Sequence, residues 1–171
     1  MYSNLNTTEY DTFNNDTLDQ INTIKKSLLN DKIIFTASSF DLFHSGHALM
    51  LEDASNFGKV VIALHNDPTI NRSSKNKPIQ SIEERRIIIN SNKYVHSVIE
   101  YNTESDLYNI LINLNPDLRM LGSDWKGKQY TGNELQIQIY FHERNHTWST
   151  SNLRKRIFDA EYAKLLDIKE F

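Results

Sequence analysis

Leu18, Ile21, Ile24, Leu28 and Leu29 recur at helical spacing, which predicts one amphipathic helix ending near Asn30. The seventeen residues before it are rich in Asn, Thr and Asp without periodicity, and read as a mobile tail. From Asp31 the pattern becomes strand, loop and helix in alternation. Lys32-Ile33-Ile34-Phe35-Thr36-Ala37 and Val60-Val61-Ile62-Ala63-Leu64 are short, apolar and β-branched, as buried parallel strands are. Residues 95–100, 118–121 and 137–141 supply three more strands. Ala48, Leu49, Leu51 and Ala54 mark a helix between the first two strands, stopping near Gly58. Ser81-Ile82-Glu83-Glu84 reads as a capping box, and Thr103-Glu104-Ser105-Asp106 caps the next helix. A single helical turn is expected over 131–135, and a final helix runs through Leu153, Ile157, Ala160 and Leu165. Strands alternating with helices imply a five-stranded parallel α/β sheet with helices on both faces, preceded by an extension over 1–30. Right-handed crossovers then place a ligand at the carboxyl ends of the strands, beside the switch in strand order.

Composition narrows the class. The 171 residues suffice for one domain, 31–171, and the 39% hydrophobic, 24% charged mixture is that of a soluble globular chain. The absence of Cys removes disulfide scaffolds and thiolate chemistry. A net charge of −3 offers no positive field for nucleic acid. With no signal peptide pattern and no long apolar run, a cytoplasmic protein acting on something small is expected, without membrane or nucleic acid as partner.

Chemistry-bearing residues cluster just after the predicted strands. His44-Ser45-Gly46-His47 follows the first strand and opens a helix. Two imidazoles three positions apart project to one side, while Gly46 lets a ligand approach the backbone. Helix N-termini already favour anions, so the added imidazoles suit phosphate oxygens that gain charge in a transition state. With His taken at about 2% of residues and Gly at about 7%, this pattern arises by chance in about one such chain in two hundred. A zinc reading lacks a third ligand. The non-periodic stretch 66–80 carries Arg72, Lys75 and Lys77, and loops of that length inside compact domains are usually functional or disordered. Asp124 and Trp125 follow the fourth strand, and Arg144, Ser149, Thr150 and Ser151 follow the fifth. His65, His96 and His142 read as structural or exposed.

The segment from Phe35 to His47 resembles the first signature of the HxGH nucleotidyltransferases, and within them is most similar to the glycerol-3-phosphate cytidylyltransferases. Three further segments resemble that family in the same order: the Lys loop leading to Glu83-Glu84-Arg85-Arg86, then Gly122-Ser123-Asp124-Trp125, then the run from Arg144 to Ser151. The resemblance implies a Rossmann-like doubly wound fold, a homodimer, and transfer of CMP from CTP to a polyol phosphate, glycerol 3-phosphate first. It implies that His44, His47, Lys77 and Arg85 are catalytic, with Arg85 clamping the triphosphate. It further implies that Ser39, Phe40, Gly46, Asp124, Trp125, Arg144, Ser149, Thr150 and Ser151 hold the nucleotide, while Asp41, Lys75 and Lys77 meet the acceptor. Mg²⁺ is expected with the triphosphate, and no carboxylate cluster suggests a protein-built cage.

Several positions depart from the family pattern. Ser38 stands where a Gly is usual, Ser123 replaces an Asp, His146-Thr147 replaces Glu-Gly, and Lys93 and His96 stand where Arg and Asp are frequent. These touch the acceptor pocket and the subunit contact. An adenylyltransferase of the same superfamily and a nucleotide-binding module without turnover are the competing readings.

Overall fold

The computed structural model describes residues 14–167. A five-stranded, wholly parallel sheet runs in the order β3-β2-β1-β4-β5, with β1 Ile33–Ser38, β2 Lys59–His65, β3 Val95–Tyr101, β4 Leu118–Gly122 and β5 Gln138–His142. Strand order reverses between β1 and β4, so the crevice between their carboxyl ends is where a doubly wound fold holds its ligand.

Alternation along the central strands sorts the core onto two faces. Ile33 and Phe35 of β1 pack with Val61 and Ala63 of β2 against α1 (Asn15–Ser27) and α4 (Glu104–Leu114). Ile34 of β1, with Ile62 and Leu64 of β2, packs against α2 (Ser45–Ser55) and α3 (Ile82–Asn90). Both expected capping boxes form, Ser81 with Glu84 and Thr103 with Asp106. The last helix, α5 (Thr150–Asp167), lies largely exposed along its length.

The N-terminal region differs from the sequence reading. Residues 1–13 of the expected tail lie outside the described residues, but 15–17 are already helical. Asn14 caps the helix by accepting the Asp16 N–H at 3.0 Å, and Asp16 favours the positive end of the dipole. The apolar stripe of α1 packs on its own domain. Ile21, Ile24 and Leu28 are buried in the core, Leu18 is half-buried, and Leu29, beyond the end of the helix, is 82% exposed. Gln20 Nε2 donates to the Val98 carbonyl at 2.8 Å and so covers part of the β3 edge. The helical turn expected over 131–135 is instead a run of turns, with Gly132 at φ +75°.

Because α1 is core rather than appendage, Ile21→Ala should cost about 2–5 kcal/mol. Urea unfolding should report this as one cooperative transition with a lower midpoint. A variant as stable as the parent would mean that α1 packs only loosely.

Candidate active site

The loop joining β1 to α2 is held in an uncommon shape. Phe40 and Leu42 both have φ of 48°, the left-handed region that side-chain-bearing residues avoid. Surrounding contacts hold it there. The Phe40 ring is buried in the core, and Asp41 Oδ1 accepts the Ile79 and Gln80 N–H groups, each at 3.0 Å. Gln80 Oε1 accepts the Leu42 N–H at 2.7 Å. Asp41 Oδ2 also pairs with Arg154 at 3.2 Å, tying the loop to α5. Asp41 and Phe40 therefore both hold the loop in shape; the Phe40 ring, expected to meet the nucleotide, lies in the core instead, whereas Asp41 borders the same cavity as Lys75.

This loop delivers the two histidines. His44 is the N-cap of α2, and the pair caps reciprocally: His44 Nδ1 accepts the His47 N–H and His47 Nδ1 accepts the His44 N–H, both at 3.4 Å. The rings stack with centroids 3.8 Å apart, and Phe40 and Phe43 flank His47. A nitrogen that accepts carries no proton, so in this arrangement each neutral ring bears its hydrogen on Nε2. Electrostatics agree. Burial, then the neighbouring His44 and Arg144, push His47 down to about 3, and burial with Arg144 and His146 lowers His44. The pair thus presents two neutral N–H donors at the positive end of α2.

These donors open into a cavity of about 210 Å³ lined by Gly46, Trp125, Arg144, Ser149, Thr150 and Ser151. Thr150 Oγ1 donates to the Asp41 carbonyl at 3.1 Å and lies 3.5 Å from His44 Nε2, while Ser149 Oγ caps α5 by accepting the Asn152 N–H. Gly46 is required here: a Cβ would lie 2.8 Å from His146 Cε1 and 3.1 Å from the His44 ring. Arg144 pairs with Asp124 at 3.4 Å.

A second cavity, about 320 Å³, shares Ser38, Trp125, Arg144, Thr150 and Ser151 with the first. Ser39, Lys75, Arg72, Arg119 and Tyr130 line its far side. The Arg72 guanidinium lies 5.3 Å from the Trp125 ring centroid and pairs with Glu104 at 2.9 Å. Arg119 is buried, donates to the Thr131 carbonyl and leaves Nε without a partner. The sequence reading missed its role, although a charged residue inside the apolar run of β4 was a visible signal. A hollow of about 860 Å³ between α1 and the β3 edge is larger but contains none of the expected site residues. We place the chemistry at the two joined cavities, where the imidazoles and cations converge.

Two expected catalytic residues lie elsewhere. Arg85 is 2% exposed, and its guanidinium donates to the carbonyls of Ser39, His65, Asn66 and Gln80 at 2.7–3.1 Å. Every guanidinium nitrogen is engaged by backbone and Arg85 lines neither cavity, so it binds loops together. Lys77 lies on the solvent side, its side chain 79% exposed and 4.0 Å from Asp67, while Lys75 faces the second cavity. Of the other histidines, His65 stacks on Tyr101, His142 Nδ1 lies 2.7 Å from Asp53, and exposed His96 meets Ser27. Among the described residues no group of three or more His, Asp or Glu is placed to hold a metal ion. Nor is any described helix long and apolar enough to cross a membrane.

Residues 35–156 match the family described as cytidylyltransferase-like. The chain belongs to that family. It is 32% identical over 128 residues to a bifunctional protein HldE of Helicobacter pylori, covering 74% of this chain and 27% of the relative. The HldE of Campylobacter curvus is 30% identical over 132 residues, 76% of this chain and 28% of the relative. The chain therefore spans little more than a quarter of these relatives' length. Among solved structures, a lipopolysaccharide core biosynthesis protein from Thermoplasma volcanium superposes with a TM-score of 0.55 at 24% identity, over 70% of this chain and 100% of that one. A pantothenate synthetase from Thermus thermophilus gives 0.58 at 11% identity, over 78% and 65%. These likenesses carry the fold. Family membership places the chain in the HxGH nucleotidyltransferase superfamily.

Two outcomes test the site's construction. Arg85→Met should lower stability by at least about 3 kcal/mol, since four carbonyls, that of His65 buried and the others partly so, each lose a charge-assisted bond. A Met variant with parental stability and lost nucleotide affinity would restore the clamp reading. Acid should also act through His47. Its unfolded form takes a proton near pH 6.5 and its folded form only near 3. Stability is therefore full above about pH 6.5 and falls by up to about 1.4 kcal/mol per pH unit on acidification towards 3. His47→Asn should flatten that part of the stability curve between pH 6.5 and 4.

Proposed function

We propose that this protein transfers a nucleotidyl group from a nucleoside triphosphate to a small phosphorylated polyol or sugar and releases pyrophosphate. CTP and glycerol 3-phosphate are the substrates put forward first. The observation that carries the reading is the pair of cavities meeting at Arg144, one backed by neutral imidazoles at a helix N-terminus and the other cationic. Such a layout suits two anionic reactants brought together in line.

In this reading an acceptor phosphate oxygen attacks the α-phosphorus. The new P–O bond forms as the bond to the bridging α–β oxygen breaks, and pyrophosphate departs with the electron pair. No covalent enzyme intermediate arises, so catalysis is positioning and charge stabilisation. His44 and His47 donate from Nε2 to oxygens whose charge grows at the transition state. Held neutral by its burial, His47 donates without first taking up a proton. Thr150, Ser151 and Arg144 hold outer phosphate oxygens, and Lys75 with Arg72 draws in the acceptor's phosphate. Gly46 leaves the backbone accessible, Ser39 lines the second cavity, and Trp125, shared by both, offers a flat wall for a base or sugar. Mg²⁺ enters as part of the nucleotide substrate.

The decisive assay incubates α-labelled CTP or ATP with a panel of polyol and sugar phosphates and follows pyrophosphate release. A CTP preference with glycerol 3-phosphate supports the full proposal; an ATP preference overturns the base, and a different acceptor overturns glycerol phosphate. Absence of turnover with every pair would overturn the enzyme reading in favour of a binding module. His44→Ala and His47→Ala should each lower kcat about 10²–10³-fold. If either keeps more than about a tenth of the parent rate, the imidazoles do not carry the chemistry.

A further inference from the structure

His146 belongs to no role assigned so far, and its surroundings are unusual. Both ring nitrogens are buried, and neither has a hydrogen-bond partner in the protein. A buried imidazole left this way forgoes two hydrogen bonds, which is costly unless something outside the chain supplies them. The ring is not loose. It stacks on Trp148 with centroids 4.9 Å apart and planes 25° from parallel. Its Cε1, the carbon between the two nitrogens, faces Gly46 in the first turn of α2. It lines the cavity that holds His44, His47 and Arg144, and its proximity is one reason the His44 pKa is lowered.

We infer that His146 is a third phosphate-binding imidazole of this cavity, donating a ring N–H to a triphosphate oxygen of the bound nucleotide. The inference rests on the nucleotidyl-transfer reading and deepens it. An oxygen at the N-terminus of α2, within reach of His44 and Arg144, is where a triphosphate's negative charge is best accommodated. There the ring's N–H would meet an acceptor that the protein itself does not provide. Its second nitrogen then remains available to accept from a sugar hydroxyl or a base amine on the same ligand. Trp148 fixes the ring plane, so that little side-chain freedom is lost when the ligand arrives.

Two substitutions separate this role from mere packing. His146→Phe keeps an aromatic ring on Trp148 and removes both nitrogens, whereas His146→Gln keeps a donor and an acceptor and gives up the ring. Calorimetric titration of CTP, ATP and inorganic tripolyphosphate into the parent and each variant supplies the readout, with melting temperatures as the fold control. The Phe variant is expected to melt like the parent and to bind tripolyphosphate and both nucleotides about 10- to 100-fold more weakly, the range of a lost bond to a charged group. The Gln variant should recover most of that affinity. If the Phe variant binds all three as tightly as the parent, His146 is a packing residue and the inference fails while nucleotide binding stands. A loss confined to the nucleotides, with tripolyphosphate unaffected, overturns the phosphate contact in favour of one to base or sugar. If the parent binds neither nucleotide nor tripolyphosphate, the nucleotidyl reading falls, and this inference with it. A loss that the Phe and Gln variants share, accompanied by a drop in melting temperature, assigns His146 to the fold and also overturns the inference.

Discussion

A single buried guanidinium organises the working end of this molecule. Arg85, at the start of α3, donates to carbonyls at the end of β1, at the end of β2 and in the loop leading into its own helix. Three of those carbonyls belong to chain leaving the sheet and the fourth to chain entering a helix, where regular hydrogen bonds run out and backbone groups need other partners. One charged side chain supplies four of them and fixes three segments relative to one another. The strained turn through Phe40 and Leu42 depends on that frame, because Ile79 and Gln80 hold its Asp41 and Leu42 from the same loop that Arg85 anchors. The reciprocal cap of His44 and His47 follows from where that turn ends.

Local signals in the chain were read well from sequence. The parallel sheet with helices on both faces followed from the alternation of elements, and both capping boxes stand in the chain as four consecutive residues. The His44–His47 pair and the hydroxyls of 149–151 were legible for the same reason: each is a short run whose geometry its own helix sets. Longer-range effects were not legible. Arg85 looks like a helix-surface arginine or a phosphate clamp until chain crossings bury it to 2% exposure. Asp41 reads as a loop carboxylate until Arg154, more than a hundred positions along, closes on it. Lys75 and Lys77 are two residues apart on a loop with no periodicity, so nothing in their spacing says which faces inward. The apolar stripe of α1 is equally compatible with a foreign partner and with its own domain, and only the packed core distinguishes them.

The two cavities are built from different kinds of chain. Strand ends and helix starts make most of the imidazole-bearing one, set by sheet register and caps, with Arg144, His146 and Trp148 added by the stretch between β5 and α5. Much of the far wall of the other comes from turn-rich segments: Arg72 and Lys75 from the stretch after β2, Tyr130 from the stretch before β5. Such segments tolerate insertions, deletions and exchanges that a parallel strand does not. Evolution can therefore rewrite one half of this site while leaving the other intact. A lineage built on this scaffold is free to diversify the molecule it modifies far faster than the chemistry by which it modifies it.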